Sequence, residues 1–75
     1  MKIEWKKGYG EWYFLKFDDT PTNYIVTRCE QTRDYIIEYW SPGTKRFFIE
    51  MGRAETFLKA CDIAMVLARM GVRPE

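Results

Sequence analysis

Two adjacent carboxylates, Asp18 and Asp19, and two thiols, Cys29 and Cys61, are the groups in this 75-residue chain whose types could support catalysis. Paired carboxylates can hold a cation or divide acid and base roles. Here they stand in DDTPTN (18–23), where every neighbour either bonds to its own backbone or presets a bend, so the pair reads as turn chemistry. Cysteine nucleophiles and nearly all catalytic triads need an imidazole, and the chain has no histidine. Both thiols sit at positions expected to face a core and in no metal-ligand spacing, where a thiol acts as a small inert hydrophobe. Facing layers lie about 10 Å apart, so the two cysteines are expected to exceed the bridging limit of roughly 7 Å between α-carbons. Gly8 and Gly10 precede no helix and therefore form no phosphate loop. Catalysis, a metal and a cofactor are all not expected, and no small-molecule substrate is indicated.

The remaining chemically distinctive residues are aromatic. In EWYFLKF (11–17) they occupy both odd and even positions, and an extended strand sends these to opposite faces. One face can be core, and the other needs a separate explanation.

The elements that must carry these rings follow from periodicity. Short alternating segments at 2–6, 11–17, 23–29, 34–40 and 45–51 read as strands, separated by turn chemistry at Gly8 to Gly10, at DDTPTN, at EQTR and at SPGT (41–44). Proline followed by glycine in SPGT is the order a type II turn favours. After Gly52 the period becomes helical: Ala54, Phe57, Leu58, Cys61, Ala64, Met65 and Ala68 form one stripe over about 54–70. Gly52 is the best available cap. Arg69 and Arg73 lie near the negative C-terminal pole, and Pro74 cannot continue the helix. Short connections make sequential strands antiparallel neighbours, so the expected fold is α+β: a four- to five-stranded β-meander (2–51) and one C-terminal helix on one sheet face, as a single domain over 1–75.

Composition bounds the function classes. Aromatic content of 17% and hydrophobic content of 47% exceed what a disordered chain carries, so the chain should fold, although 75 residues give a core that only just offsets chain entropy. Twelve basic against eleven acidic residues leave a net charge of +1, which supplies no general field for a polyanion. The chain shows no signal-peptide pattern and no run of about 18 uncharged apolar residues, and sparse cysteines suggest reduced thiols; a soluble cytoplasmic protein is expected.

If odd positions face the helix, the covered set is Ile3, Trp5, Tyr13, Leu15, Phe17, Ile25, Thr27, Cys29, Tyr35, Ile37, Tyr39, Phe47, Ile49 and Met51, which contains no charge. Even positions then carry Lys6, Trp12, Phe14, Lys16, Tyr24, Val26, Arg28, Ile36, Glu38, Trp40, Phe48 and Glu50. That mixture is too polar for a second core and too aromatic for a face that meets only water. Two readings stay open: basic stems lie across the rings on a curled sheet, or the face binds a partner. The candidate partner-binding residues are Trp12, Phe14, Lys16, Tyr24, Arg28, Ile36, Trp40 and Phe48. A candidate dimer patch on the helix comprises Ile63, Leu67 and Met70. The functions compatible with this are a protein-binding module or inhibitor, a single-strand nucleic-acid binder that stacks bases on the same rings, and a homodimeric structural or adaptor subunit. Glu38 and Glu50 oppose the second, because they set negative charge beside a polyanion.

The GYGEWYF hairpin, the SPGT turn and the helix start RAETFLKACDIA give a layout that resembles small accessory proteins of bacteriophages and other mobile elements, including some anti-CRISPR inhibitors. The resemblance spans nearly the whole chain and implies an antiparallel meander, one helix and a binding function, with no specific residue to carry over. The strand order also resembles the coactivator family that binds single strands with four strands and a helix, although that family's strongly basic face is absent from this sequence.

Overall fold

The computed structural model describes residues 2–8, 10–41, 43 and 48–74. Tyr9 of the first turn, Pro42 and Thr44 of SPGT, and Lys45, Arg46 and Phe47 lie outside the described residues. The elements are β1 (Ile3–Lys7), β2 (Trp12–Phe17), β3 (Thr20–Arg28), β4 (Tyr35–Trp40), β5 (Phe48–Ala54) and α1 (Phe57–Arg69). The strands form one sheet in sequence order, every neighbouring pair antiparallel, and α1 packs on one face of it. The expected α+β meander with a C-terminal helix is the observed architecture.

Loop parity decides which residues share a face. Asp18 and Asp19 alone link β2 to β3, both with positive φ (49° and 68°), as a two-residue hairpin turn of the primed type requires. This turn is shorter than the DDTPTN loop expected from the sequence, and residues 20–23 belong to β3. A two-residue turn pairs Phe17 with Thr20, hence odd with even positions. Tyr24 and Val26 therefore face the helix, while Ile25 and Thr27 face away, the reverse of the expectation for all four. The six residues between β3 and β4 restore the original parity, pairing Val26 with Ile37 and Tyr24 with Tyr39.

Two irregularities adjust the ladders. Between Phe14 and Lys16 stands only Leu15, whereas their partners Ile25 and Pro21 are separated by Thr22, Asn23 and Tyr24. Thr20 to Thr22 extend past the end of β4, which is where a sheet tolerates Pro21. On β5, Met51 is the extra residue of a bulge between the pairs Glu38 with Glu50 and Ile37 with Gly52. The bulge lets β5 continue through Ala54, so Gly52 is a strand residue rather than the helix cap.

The helix starts three residues later than its periodicity suggests, at Phe57, with Thr56 as cap: its hydroxyl accepts the Lys59 amide at 3.2 Å. At the far end Gly71 (φ 68°) donates to the Ala68 carbonyl at 3.2 Å, and the Val72 amide donates to the Leu67 carbonyl at 3.1 Å. These two bonds are the Schellman arrangement, which needs a left-handed residue at the position of Gly71.

The core lies between this helix and the sheet. Leu15, Tyr24, Val26 and Ile37 meet Ala60 and Ala64, and Ile3, Trp5, Phe17, Tyr35, Tyr39 and Met51 pack around them. Small residues at 60 and 64 let the helix axis come close to the sheet. Phe57 enters a nest of three rings, at centroid distances of 6.3 Å to Trp5, 4.9 Å to Tyr13 and 5.7 Å to Tyr35. The Tyr24 hydroxyl donates to the Val72 carbonyl at 2.5 Å, tying the end of the helix to the central strand. Leu58, expected in the core stripe, is 75% exposed, and Ala60 takes the inward position.

Replacing Leu15 or Ile37 with alanine should destabilise the domain by about 2–5 kcal/mol, because both are fully buried and leave a cavity. Tyr24→Phe removes one hydroxyl and should cost about 1 kcal/mol. Urea unfolding followed by far-ultraviolet circular dichroism measures both.

Candidate binding site on the open sheet face

Strand alternation and the registers above carry Trp12, Phe14 and Lys16 of β2, Ile25 and Thr27 of β3, Ile36, Glu38 and Trp40 of β4, and Phe48 and Glu50 of β5 onto the face opposite α1. Of the expected partner-binding residues, Trp12, Phe14, Lys16, Ile36, Trp40 and Phe48 are on this face. Tyr24 is not: it is 3% exposed in the core, for the reason of turn parity given above. Arg28 shares the parity of Tyr24 and Val26, so it lies at the end of β3 on the helix side, and exposed.

The aromatic residues on this face enclose a cleft. Trp12, Phe14, Pro21, Thr22, Ile25, Trp40 and Phe48 line an open hollow of about 390 Å³. Ile25 is its floor, at 7% exposure the most buried of the residues that line it. Trp40 and Phe48 remain 44% and 53% exposed and are directly paired across β4 and β5. Trp12 and Phe14 stand with ring centroids 6.0 Å apart. The backbone of Gly8 lies against the Trp12 indole so closely that a Cβ there would come within 2.5 Å of atoms of its six-membered ring, and its amide donates to the Trp12 carbonyl at 3.0 Å. The Asn23 side chain donates to the Trp40 carbonyl at 2.7 Å and ties that end of β4 to β3. Of SPGT, Gly43 is described, and its φ of 85° is the sign a type II turn needs at that place.

Charge divides this face. Lys6 and Lys16 lie on the β1–β2 side, with Glu4 directly across from Lys16 and paired to Lys2; the Lys16 stem is mostly covered and its Nζ is 3.9 Å from Asp19 Oδ1. Glu38 and Glu50 are direct neighbours on β4 and β5, an opposition of like charges that a sheet normally avoids. Arg53 relieves Glu50, with Nη2 3.0 Å from Glu50 Oε1, and reaches Asp34 Oδ2 at 3.4 Å through Nη1. Glu38 has no ion-pair partner among the described residues, and burial, then the charge of Glu50, pushes its carboxyl above the ordinary range.

A smaller hollow of about 200 Å³, lined by Trp12, Ile25, Thr27, Glu38 and Phe48, adjoins the first. Ile25, Pro21 and Thr22 were absent from the residues expected at the site. The signal that finds them is Asp18-Asp19 as a complete two-residue turn, which inverts β3.

The helix patch divides. Leu67 packs against the core, whereas Ile63, Met70 and Val66 are exposed. The carboxylates of the β2–β3 turn make structural contacts: Asp18 Oδ1 accepts the Lys2 amide at 2.6 Å, and Asp19 Oδ1 lies 3.9 Å from Lys16 Nζ. Both cysteines are free thiols. Cys29 lies just past β3 and is partly exposed rather than core, and the Thr32 hydroxyl, shared with the Asp34 carboxylate, helps hold its thiol below the usual value. Cys61 is buried, which pushes its thiol up to about 11. Among the described residues no group of three or more cysteine, aspartate and glutamate side chains comes together to hold a metal ion, and no helix is long and apolar enough to cross a membrane.

Fold and site thus define a small α+β sheet-and-helix domain with an aromatic cleft on its uncovered face. No protein-family model, curated protein or solved structure matches the chain.

Two measurements test these electrostatics. A carboxyl whose folded value is raised destabilises the fold at pH values above its unfolded value and has no such effect below it. Glu38→Gln should therefore raise Tm at pH 7, and the gain should vanish below about pH 4, where the carboxyl is protonated in both states. In native protein at pH 8, a disulfide reagent should modify Cys29 readily. Cys61 should react at least on the order of 100-fold more slowly, because burial both pushes its thiol up to about 11 and shields it from the reagent; peptide mapping by mass spectrometry reads the ratio.

Proposed function

We propose that this chain is a non-catalytic protein-binding domain that engages its partner through the aromatic cleft of the open sheet face. The observation that carries the reading is the pair Trp40 and Phe48, about half exposed at the rim of a hollow whose other walls are Trp12, Phe14, Pro21 and Ile25. Large rings held open to solvent on a rigid sheet around an apolar floor are the anchors on which interface energy concentrates. A 75-residue domain gains little from leaving them unfilled, because each is apolar area withheld from a small core. The proposal extends to an inhibitor or accessory role of the bacteriophage and mobile-element kind and to a cytoplasmic setting, where two free thiols stay reduced.

Self-association is the competing occupant of an apolar surface, and Ile63, Val66 and Met70 offer a separate site for it on the helix. Nucleic acid fits this face less well, since Glu38 and Glu50 lie on it and Arg28 does not.

Trp12→Ala and Trp40→Ala should keep the circular dichroism spectrum of the parent while weakening capture of the partner at least about tenfold, as hot-spot truncations do; unfolding comparable to Leu15→Ala would place these rings in a second core and end the proposal. Partners are found by mass spectrometry of proteins co-purified with the chain and lost with both variants. Light scattering across concentrations should report a monomer at low micromolar levels. Titration with a short labelled oligonucleotide at two salt concentrations should show no salt-sensitive binding.

A further inference from the structure

We propose that the site recognises an arginine of the partner protein, its guanidinium set between the rings of Trp12 and Phe48 and paired with the Glu38 carboxylate, while an adjoining apolar side chain fills the larger cleft. The inference rests on the protein-binding reading of that cleft. Three observations combine to give it.

The two hollows adjoin, with Trp12, Ile25 and Phe48 in both linings, so one short peptide segment can reach both. The larger is lined by apolar groups and Thr22, and the smaller contains a single ionisable residue, Glu38. That carboxylate is left over from the internal pairing. Arg53 is engaged by Glu50 and Asp34, and Lys16 by Asp19, and among the described residues no other cation lies within ion-pair distance of Glu38. A partly buried carboxylate beside a like charge is unfavourable in the free protein, and a ligand cation removes that penalty.

The walls select the same charge. Aromatic faces carry negative potential, so Trp12 and Phe48 attract a cation where they would repel phosphate or carboxylate. Guanidinium suits this geometry better than ammonium. It is planar, stacks on a ring, and presents parallel donors that match both oxygens of a carboxylate. The partner segment is therefore an apolar residue next to arginine.

Three blocked dipeptides test this: acetyl-leucyl-arginine amide, its citrulline counterpart, which keeps shape and loses charge, and its lysine counterpart. Binding is followed by the indole N–H signals of Trp12 and Trp40 in ¹⁵N spectra, assigned with single tryptophan-to-phenylalanine variants. The arginine peptide should bind about 5- to 30-fold more tightly than the citrulline peptide, the range expected of a cation held by ring and carboxylate. Glu38→Gln, a fold-preserving change, should reduce the arginine peptide to the citrulline level. Equal binding of arginine and citrulline peptides, with both lost in Trp40→Ala, overturns the arginine assignment and leaves the apolar cleft as a binding site. A lysine peptide as tight as the arginine one overturns the choice of guanidinium. If no peptide moves either indole signal, the arginine assignment and the cleft as a peptide site fall together.

Discussion

One aromatic nest holds this fold in place. Phe57, the first of the thirteen residues of α1, sits among Trp5, Tyr13 and Tyr35 from three different strands and fixes where the helix begins. The other end is secured by a different device, the Tyr24 hydroxyl on the Val72 carbonyl, presented by the Schellman turn at Gly71. Between these two points Ala60, Cys61 and Ala64 are the buried helix residues, with Met65, Leu67 and Ala68 packing beside them against β3, β4 and β5. A rod fixed at both ends cannot roll toward the opposite side of the sheet. The rings of the covered face are committed to holding it, whereas those of the uncovered face, Trp12 beside Phe14 and Trp40 across from Phe48, have no helix to pack against.

Twist and bulges then give the uncovered face its shape. Ile25 is 7% exposed, although it lies on the uncovered face, and it shares the lining of one hollow with Trp12, Phe14, Trp40 and Phe48 of β2, β4 and β5. The longer β3 adds Pro21 and Thr22 as an end wall beyond the last residue of β4. The bulge at Met51 shifts the parity of β5, so that Arg53 falls on the side of Glu50 and can neutralise it. Glu38, one strand further in, receives nothing equivalent. The electrostatic asymmetry of the face thus follows from where one extra backbone residue was placed.

Much of this was readable from residue types. Alternation located the five strands, period located the helix body, and the even positions of β2 and β4 identified Trp12, Phe14 and Trp40 as neighbours on the open side. What was misread depended on counting residues between strands. Asp18 and Asp19 form the entire β2–β3 turn, and only that count reveals the inversion that puts Tyr24 under the helix and Ile25 on the uncovered face. The helix start was misplaced for a related reason: Ala54 fits both a helical stripe and a bulged strand, and only the Met51 bulge decides between them. Leu58 is apolar and correctly spaced yet solvent-facing, since the Phe57 nest fixes the helix phase. Periodicity reports a face; register, set by turns and bulges, determines which one.

Gly8 holds a quieter consequence. It belongs to the connection after β1 and contributes no atom to the hollow's lining, yet its bare backbone is the seat on which the Trp12 indole rests. The tilt of the main aromatic wall is thus governed from outside the recognition surface, by a residue with no side chain of its own. Methyl-sized changes at this single position would reset the aperture while every contacting residue stayed the same, giving the domain a way to retune its choice of ligand without altering its lining.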